Sequence, residues 1–234
     1  MRTSSRSTSR CRVCKSVTSS PCARDLLVAE DRCDQLPLER LTHARDGIDV
    51  TAIARRPETL RTNHPRLRTV AADILDSDAV EPLLAGVDAV ISTVGIGTSK
   101  QPTKLYSEGT RNLVNGLARH GVSRIVTISS EVADHWAHQS PLKLWVVLPL
   151  LQHFLGATYD DMRRMDIVLW ESAAQWTTVR APYIRDKTGT RKYRIATDKP
   201  LQRGFSITAP DMATALLDIA ERHDLNRRFV FVAN

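Results

Sequence analysis

The chain has 234 residues, 42% of them hydrophobic, which is enough for one substantial core and points to a single α/β domain. Its formal charge of +7 invites a polyanionic partner, but Arg2, Arg6, Arg10, Arg12, Lys15 and Arg24 fall in the first 24 residues with no acid among them. That is +6 of the total, so residues 25–234 carry only +1 and give no ground for a specific nucleic-acid partner. No stretch reaches the roughly 18 uninterrupted apolar residues of a membrane span; the longest, Leu142 to Leu155, is broken by Lys143, Pro149, Gln152 and His153.

Residues 1–24, rich in Ser, Thr and Arg and without apolar periodicity, read as a disordered basic tail. In composition they are similar to an organellar transit peptide; an inert tail or an artefact of the gene model reads equally well. Cys11-Arg-Val-Cys14 has the spacing of half a zinc site, but no second pair follows at a matching interval, so no metal is expected. With Cys22 and Cys33 these are all the cysteines. A core without one has nothing to staple, and a reducing, cytoplasmic compartment is expected.

From Asp25 to the C-terminus the pattern is that of one domain. Leu26–Ala29 reads as a short strand, Leu36–Ala44 as a helix and Ile48–Ala54 as a β-branched strand ending in Arg55-Arg56-Pro57. Leu67–Ala71 is a third strand, Asp78–Leu84 a helix containing Pro82, and Gly86 its stop. A long helix runs to His120 with Leu113, Val114 and Leu117 on its apolar face, and Gly121 closes it. Ser123–Ser130 is a strand, Tyr159–Ala173 a helix and Trp176–Arg180 a strand. Tyr193–Ala196 and Gly204–Thr208 are short β segments, and helix Asp211–Arg222 and strand Phe229–Val232 complete the chain. Strand and helix alternate, which predicts a doubly wound parallel sheet with right-handed crossovers and strand order 3-2-1-4-5 plus later strands. The apolar run Ser140–Gly156 suits core packing, a substrate pocket or a dimer surface, so monomer and homodimer both stand.

Gly86 to Gly95 is the informative stretch. Val87, Ala89, Val90 and Ile91 suit a strand buried on both faces, and Ser92, Thr93, Val94 and Gly95 fall where ligands of open α/β sheets sit, just beyond the strand's carboxyl end.

Several segments, in this order and spacing, resemble one family. They are Asp49-Val-Thr-Ala-Ile-Ala-Arg-Arg-Pro57, Ala72-Asp73-Ile74, Asp88-Ala-Val-Ile-Ser-Thr-Val-Gly95, Gly109-Thr-Arg-Asn-Leu113, Arg124-Ile-Val-Thr-Ile-Ser-Ser130, Trp176-Thr-Thr-Val-Arg-Ala-Pro182 and Ile207 to Asp211. Val50 to the C-terminus is similar to the atypical short-chain dehydrogenase/reductase proteins of the NmrA-like, NAD(P)H-binding type, in the style of flavin and biliverdin reductases. The resemblance implies a Rossmann-like fold and reduction of a small molecule. Arg55 and Arg56, at the end of the second strand, would accommodate a 2′-phosphate, which favours NADP over NAD; a solvated basic turn is the plainer reading of the pair. Asp73 and Ile74 would flank the adenine, Thr93, Val94 and Gly95 would pass under the middle of the cofactor, and Ser129, Ser130, Pro182 and Ile184 would border the nicotinamide. Asp73 as a turn cap and Pro182 as a strand stop remain open. Tyr159 and Ser129 are the catalytic candidates. Typical relatives place a Lys four residues after the Tyr; here Arg163 stands there, a fixed positive charge on the same helix face. The substrate pocket would be built from Ile96–Lys104 and Ser140–Thr158.

One departure is large. The family's Gly-rich turn, whose backbone N–H groups hold the pyrophosphate, should fall at Ala29-Glu-Asp-Arg-Cys-Asp-Gln35, which contains no glycine and three acids. Two explanations compete. In one, cofactor binding is lost and a non-enzymatic, NmrA-like redox-sensing or scaffold protein remains. In the other, residues 1 to about 34 are read out of frame: codons such as GAC CGG TGC GAC for Asp31-Arg-Cys-Asp34, read one base later, give Thr-Gly-Ala and the start of a Thr codon.

Overall fold

A computed structural model of the chain describes residues 24–30, 48–59, 64–96, 101–133 and 148–234. Strands β1 (Arg24–Glu30), β2 (Ile48–Ala54), β3 (Leu67–Ala71), β4 (Ala89–Ser92) and β5 (Arg124–Ser130) join β6 (Gln175–Ala181), β8 (Arg194–Thr197) and β10 (Arg228–Ala233) in one sheet. The strand order is β3-β2-β1-β4-β5-β6-β10-β8. The first five therefore stand as 3-2-1-4-5, the doubly wound arrangement expected from the alternation. All neighbours are parallel except β8, which runs antiparallel to β10 at the edge. Between β6 and β8 the chain leaves the sheet as β7 (Tyr183–Arg185), which pairs in parallel with β9 (Ser206–Thr208).

The helices follow from local chemistry. α1 (Ser77–Val80) begins on Asp76, whose carboxylate accepts the N–H groups of Asp78 and Ala79 at 3.1 and 3.2 Å. The helix expected over Asp78–Leu84 is split, because Pro82 falls in a tighter 3-10 turn over Glu81–Leu84. α2 (Leu105–His120) stops at Gly121, whose φ of 69° suits a residue without a Cβ and whose N–H returns to the Leu117 carbonyl. α3 (Leu148–Glu171) starts well before the expected Tyr159, so part of the apolar run is helical. α4 (Ala209–Glu221) opens on Thr208, whose hydroxyl accepts the Asp211 N–H at 3.3 Å.

Two apolar layers clamp the sheet. Val50, Ala52, Ile91, Val126, Val179 and Val230 pack with Met212, Leu216 and Ile219 of α4 on one face. On the other, Ile53, Val90, Ile125 and the fully buried Trp176 meet Leu113 and Leu117 of α2 and Met165 and Leu169 of α3. Each such large side chain contributes about 1.5–3 kcal/mol of burial. At the amino end of β5, Arg124 donates from Nη2 and Nε to the Ile219 and Ala220 carbonyls at 2.5 and 3.0 Å, closing the C-terminus of α4. Burial pushes its guanidinium down to about 10. The basic tail, the four cysteines, the acidic turn from residue 31 and the helix expected at Leu36–Ala44 lie outside the described residues.

Candidate functional site

In a parallel sheet all strands end on one edge, and the register here aligns those ends: Glu30 with Ala54, Ala54 with Ala71, Ala29 with Ser92, Ser92 with Thr127, and Ser130 with Ala181. The order reverses between β1 and β4, since β2 and β3 lie to one side and β4 and β5 to the other. Such a switch point opens a crevice at the carboxyl edge. Arg55 and Arg56 follow β2 and are exposed; Asp73 and Ile74 follow β3; Thr93, Val94 and Gly95 follow β4; Ser129 and Ser130 end β5; Pro182 and Ile184 follow β6. Every residue singled out in the sequence therefore stands on this edge or, in the case of Tyr159, on the helix packed beside it.

The turn after β3 is locked from two sides. Asp73 Oδ1 accepts the Leu75 N–H at 2.9 Å, and Asn112 on α2 donates from Nδ2 to the carbonyls of Ile74 and Leu75, both at 3.0 Å. One oxygen of Asp73 therefore serves as the turn cap that the sequence left open. α2 can approach this closely because residue 109 is glycine: a Cβ there would stand 3.0 Å from Cγ2 of the buried Ile74.

Asp161 on α3, fully buried, reaches the start of α2. It accepts the N–H groups of Tyr106 and Ser107 at 2.9 and 3.4 Å and the Ser107 hydroxyl at 2.5 Å. The carboxylate meets the positive end of a 16-residue helix and satisfies N–H groups that no helix can satisfy for itself. Tyr106, held there, receives the Ile96 N–H on its hydroxyl at 3.4 Å and so ties the chain just after Gly95.

Of the two serines ending β5, Ser130 and not Ser129 meets Tyr159. The Tyr159 phenol is hydrogen-bonded to Ser130, whose Oγ also accepts the Val132 N–H at 3.2 Å. Burial raises the phenol's pKa above the ordinary tyrosine value, against the opposing pull of that hydrogen bond, so at neutral pH Tyr159 keeps its proton. Ser129 shares the α3 face of the sheet with its register partner Arg180. It is buried and accepts from Arg180 Nη1 at 2.8 Å, while Arg180 Nη2 donates to Asp166 of α3 at 2.7 Å. Arg180 also lies 4.6 Å from the centre of the Phe229 ring. This buried bracket joins β5, β6 and α3 directly beneath the Tyr159–Ser130 contact. One turn beyond Tyr159, Arg163 donates from Nη1 to Asp160 at 2.8 Å, and its Nη2 is buried with no hydrogen-bond partner among the described residues. Asn112, Asp161 and the Arg180–Asp166 pair are absent from the residues singled out by sequence. Asn112 lies inside a quoted motif, but nothing in the motif gave its side chain a role, and the others depend on partners 14 to 55 residues away.

A doubly wound sheet with a switch-point crevice defines the class of dinucleotide-fold proteins. Residues 36–223 match the model of the NAD(P)H-binding family, and the chain belongs to it. Solved structures share the fold. A short-chain dehydrogenase/reductase from Veillonella parvula is 14% identical, with a TM-score of 0.73, covering 91% of this chain and 94% of that one. A structure of a short-chain dehydrogenase/reductase from the same organism in complex with NADP gives 15% identity and a TM-score of 0.72, over 90% and 94% of the two chains. An oxidoreductase from Lactococcus lactis gives 16% and 0.69, over 90% of each.

Proposed function

We propose that the protein is an NADPH-dependent reductase of a small molecule of the quinone, flavin or carbonyl type, working without a membrane span and in the cytoplasm. The observation that carries this reading is the contact between Tyr159 and Ser130 at the carboxyl edge of the sheet, with Arg163, four residues on in the same helix, holding an Nη2 that has no hydrogen-bond partner among the described residues. A buried guanidinium nitrogen with no hydrogen-bond partner among the described residues fits a hydroxyl-rich ligand such as the nicotinamide ribose. When bound, the nicotinamide supplies the hydride. Arg55 and Arg56 hold the 2′-phosphate, Asp73 and Ile74 flank the adenine, and Thr93, Val94 and Gly95 run beneath the middle of the dinucleotide. Ser130 and Pro182 border the nicotinamide, and Ile184, packed against the core, holds the strand that follows Pro182 in place. Tyr159 gives its phenolic proton to the reduced acceptor, and Ser130 fixes the hydroxyl's direction. Ser129 acts only through Arg180, as a positioning residue. The test is NADPH oxidation with quinone and flavin acceptors: turnover is expected, and Tyr159→Phe is expected to lower kcat roughly 10²-fold or more, the usual weight of a positioned acid. Absence of turnover with bound NADPH would contradict the reading.

A second reading rests on one feature. β1 ends at Glu30, and Ala29 to Gln35 contains no glycine but carries Glu30, Asp31 and Asp34, a poor match to a diphosphate. On this reading the chain is a redox-sensing or scaffold protein. Replacing residues 29–35 by Gly-Ala-Thr-Gly-Ala-Thr-Gly separates the two: NADPH binding by both chains favours the first reading, binding by neither favours the second, and binding by the repaired chain alone marks a reductase fold disabled at its front end.

A further inference from the structure

The charge of the body is strongly segregated. Residues 185–203 carry Arg185, Lys187, Arg191, Lys192, Arg194, Lys199 and Arg203 against only Asp186 and Asp198, a net +5, whereas 25–184 and 204–234 together carry −4. This basic segment begins in β7 and leaves the carboxyl edge, then re-enters the sheet as β8, which carries Asp198 and Lys199 to the opposite edge, so Arg185, Lys187, Arg191 and Lys192 are the cations on the β7 side. Asp198 is occupied by Arg228 at 2.8 Å, and Arg194 is spent on the carbonyls of Gln202, Arg203 and Asn234. Among the described residues no ion pair involves Arg185, Lys187, Arg191, Lys192, Lys199 or Arg203.

β7 turns this surface charge into a site. Ile184 packs into the core, so alternation places Tyr183 and Arg185 together on the opposite face. Tyr183 is 74% exposed, with its ring open to solvent. Arg185 is only half-buried, yet its Nε is fully covered and without a hydrogen-bond partner among the described residues. Leaving a buried donor unmade is costly, and an oxyanion is the group that a guanidinium Nε–H is shaped to receive. The pair starts two residues beyond Ala181, the register partner of Ser130, so Arg185 lies within about 13 Å of chain from that position.

We propose that the Tyr183–Arg185 face of β7 is the acceptor subsite and that the acceptor is a planar molecule carrying an oxyanion group. The ring of Tyr183 covers the plane, Arg185 takes the anion, and Lys187, Arg191 and Lys192 draw it in. The proposal deepens the reductase reading and rests on it for the acceptor's role, although the anion site itself can be tested without turnover.

The experiment compares 1,4-naphthoquinone with 1,4-naphthoquinone-2-sulfonate as acceptors, using the full chain and NADPH. At low ionic strength kcat/KM for the sulfonate is expected to exceed that of the neutral quinone by roughly 10-fold or more, and the ratio to fall towards one in 0.5 M salt, as screening requires (about a 4–5 Å Debye length). Arg185→Gln is expected to bring the ratio to about one at low salt, and Arg185→Lys to restore part of it. A ratio near one in the natural chain, or one that Arg185→Gln leaves high, overturns the proposal. In parallel, naphthalene-2-sulfonate is titrated by its fluorescence and NADPH by its own. Should neither quinone be reduced, the reductase reading fails alone and the sulfonate titration decides: saturable binding lost in Arg185→Gln supports the anion site, and binding absent or unaltered overturns it.

Discussion

Tyr159 occupies a place where burial and a single hydroxyl partner pull its pKa in opposite directions, and burial wins. A group whose pKa is raised stays protonated through neutral pH, so reduction is expected to fall only on the alkaline side, above the ordinary tyrosine value of 10.0. Ser130→Ala removes the contact that lowers the pKa, and its alkaline limb should move further up; phenolate absorbance followed against pH reads this directly, and a limb moving down would contradict the assignment. Sequence alone could see Tyr159 and Arg163 at helical spacing, but it named Ser129 as the serine beside Tyr159, where the structure has Ser130. That choice depends on long-range partners: Ser129 is taken by Arg180, which itself reaches Asp166 of α3, and Ser130 at the tip of β5 is left to Tyr159.

At the scale of elements, the candidate site depends on how α2 and α3 are tied to the sheet. Asp161→Asn keeps the shape but removes the charge from the N-terminus of α2, and a loss of about 1–3 kcal/mol is expected, seen as a melting temperature lower by several degrees. An unchanged melting temperature would mean that the carboxylate is not the cap. The Arg180–Asp166 bracket makes a different forecast. Arg180→Met removes one partner of a largely buried ion pair and should cost about 3–5 kcal/mol, whereas the double change with Asp166→Leu should recover much of it. These ties were illegible in the sequence because they join residues on different elements, whereas the elements were readable from periodicity and from turn residues such as Gly86 and Gly121. The exceptions have local causes: Pro82 divides one expected helix, and α3 extends back through an apolar run whose periodicity Pro149 obscures.

For the whole molecule, the return of the chain from the basic excursion is pinned by Asp211. Burial would raise this carboxyl, but the Thr190 N–H and the side chains of Thr208, Asn234 and Thr190 hold it down to about 2. A folded-state pKa below the unfolded 3.8 contributes stability that is complete above pH 4 and is lost as pH falls through about 2. Asp211→Asn should therefore lower stability at pH 7 and flatten its acid dependence between pH 4 and 2 in denaturant titrations; a variant with the natural slope would refute the role. The alternation of strands and helices made the sheet order legible before any coordinate, whereas the +5 excursion stayed hidden behind a body that sums to +1. The central claim is that the switch-point crevice holds a dinucleotide and that Arg55 and Arg56 read its 2′-phosphate. The measurement that tests it most directly is fluorescence titration of NADPH and NADH against the natural chain and the Arg55→Ala, Arg56→Ala double variant. NADPH is expected to bind the natural chain at least 10-fold more tightly than NADH, and the double variant to lose that preference while still binding NADH. Equal affinities in the natural chain, or equal losses for both nucleotides in the variant, would contradict it.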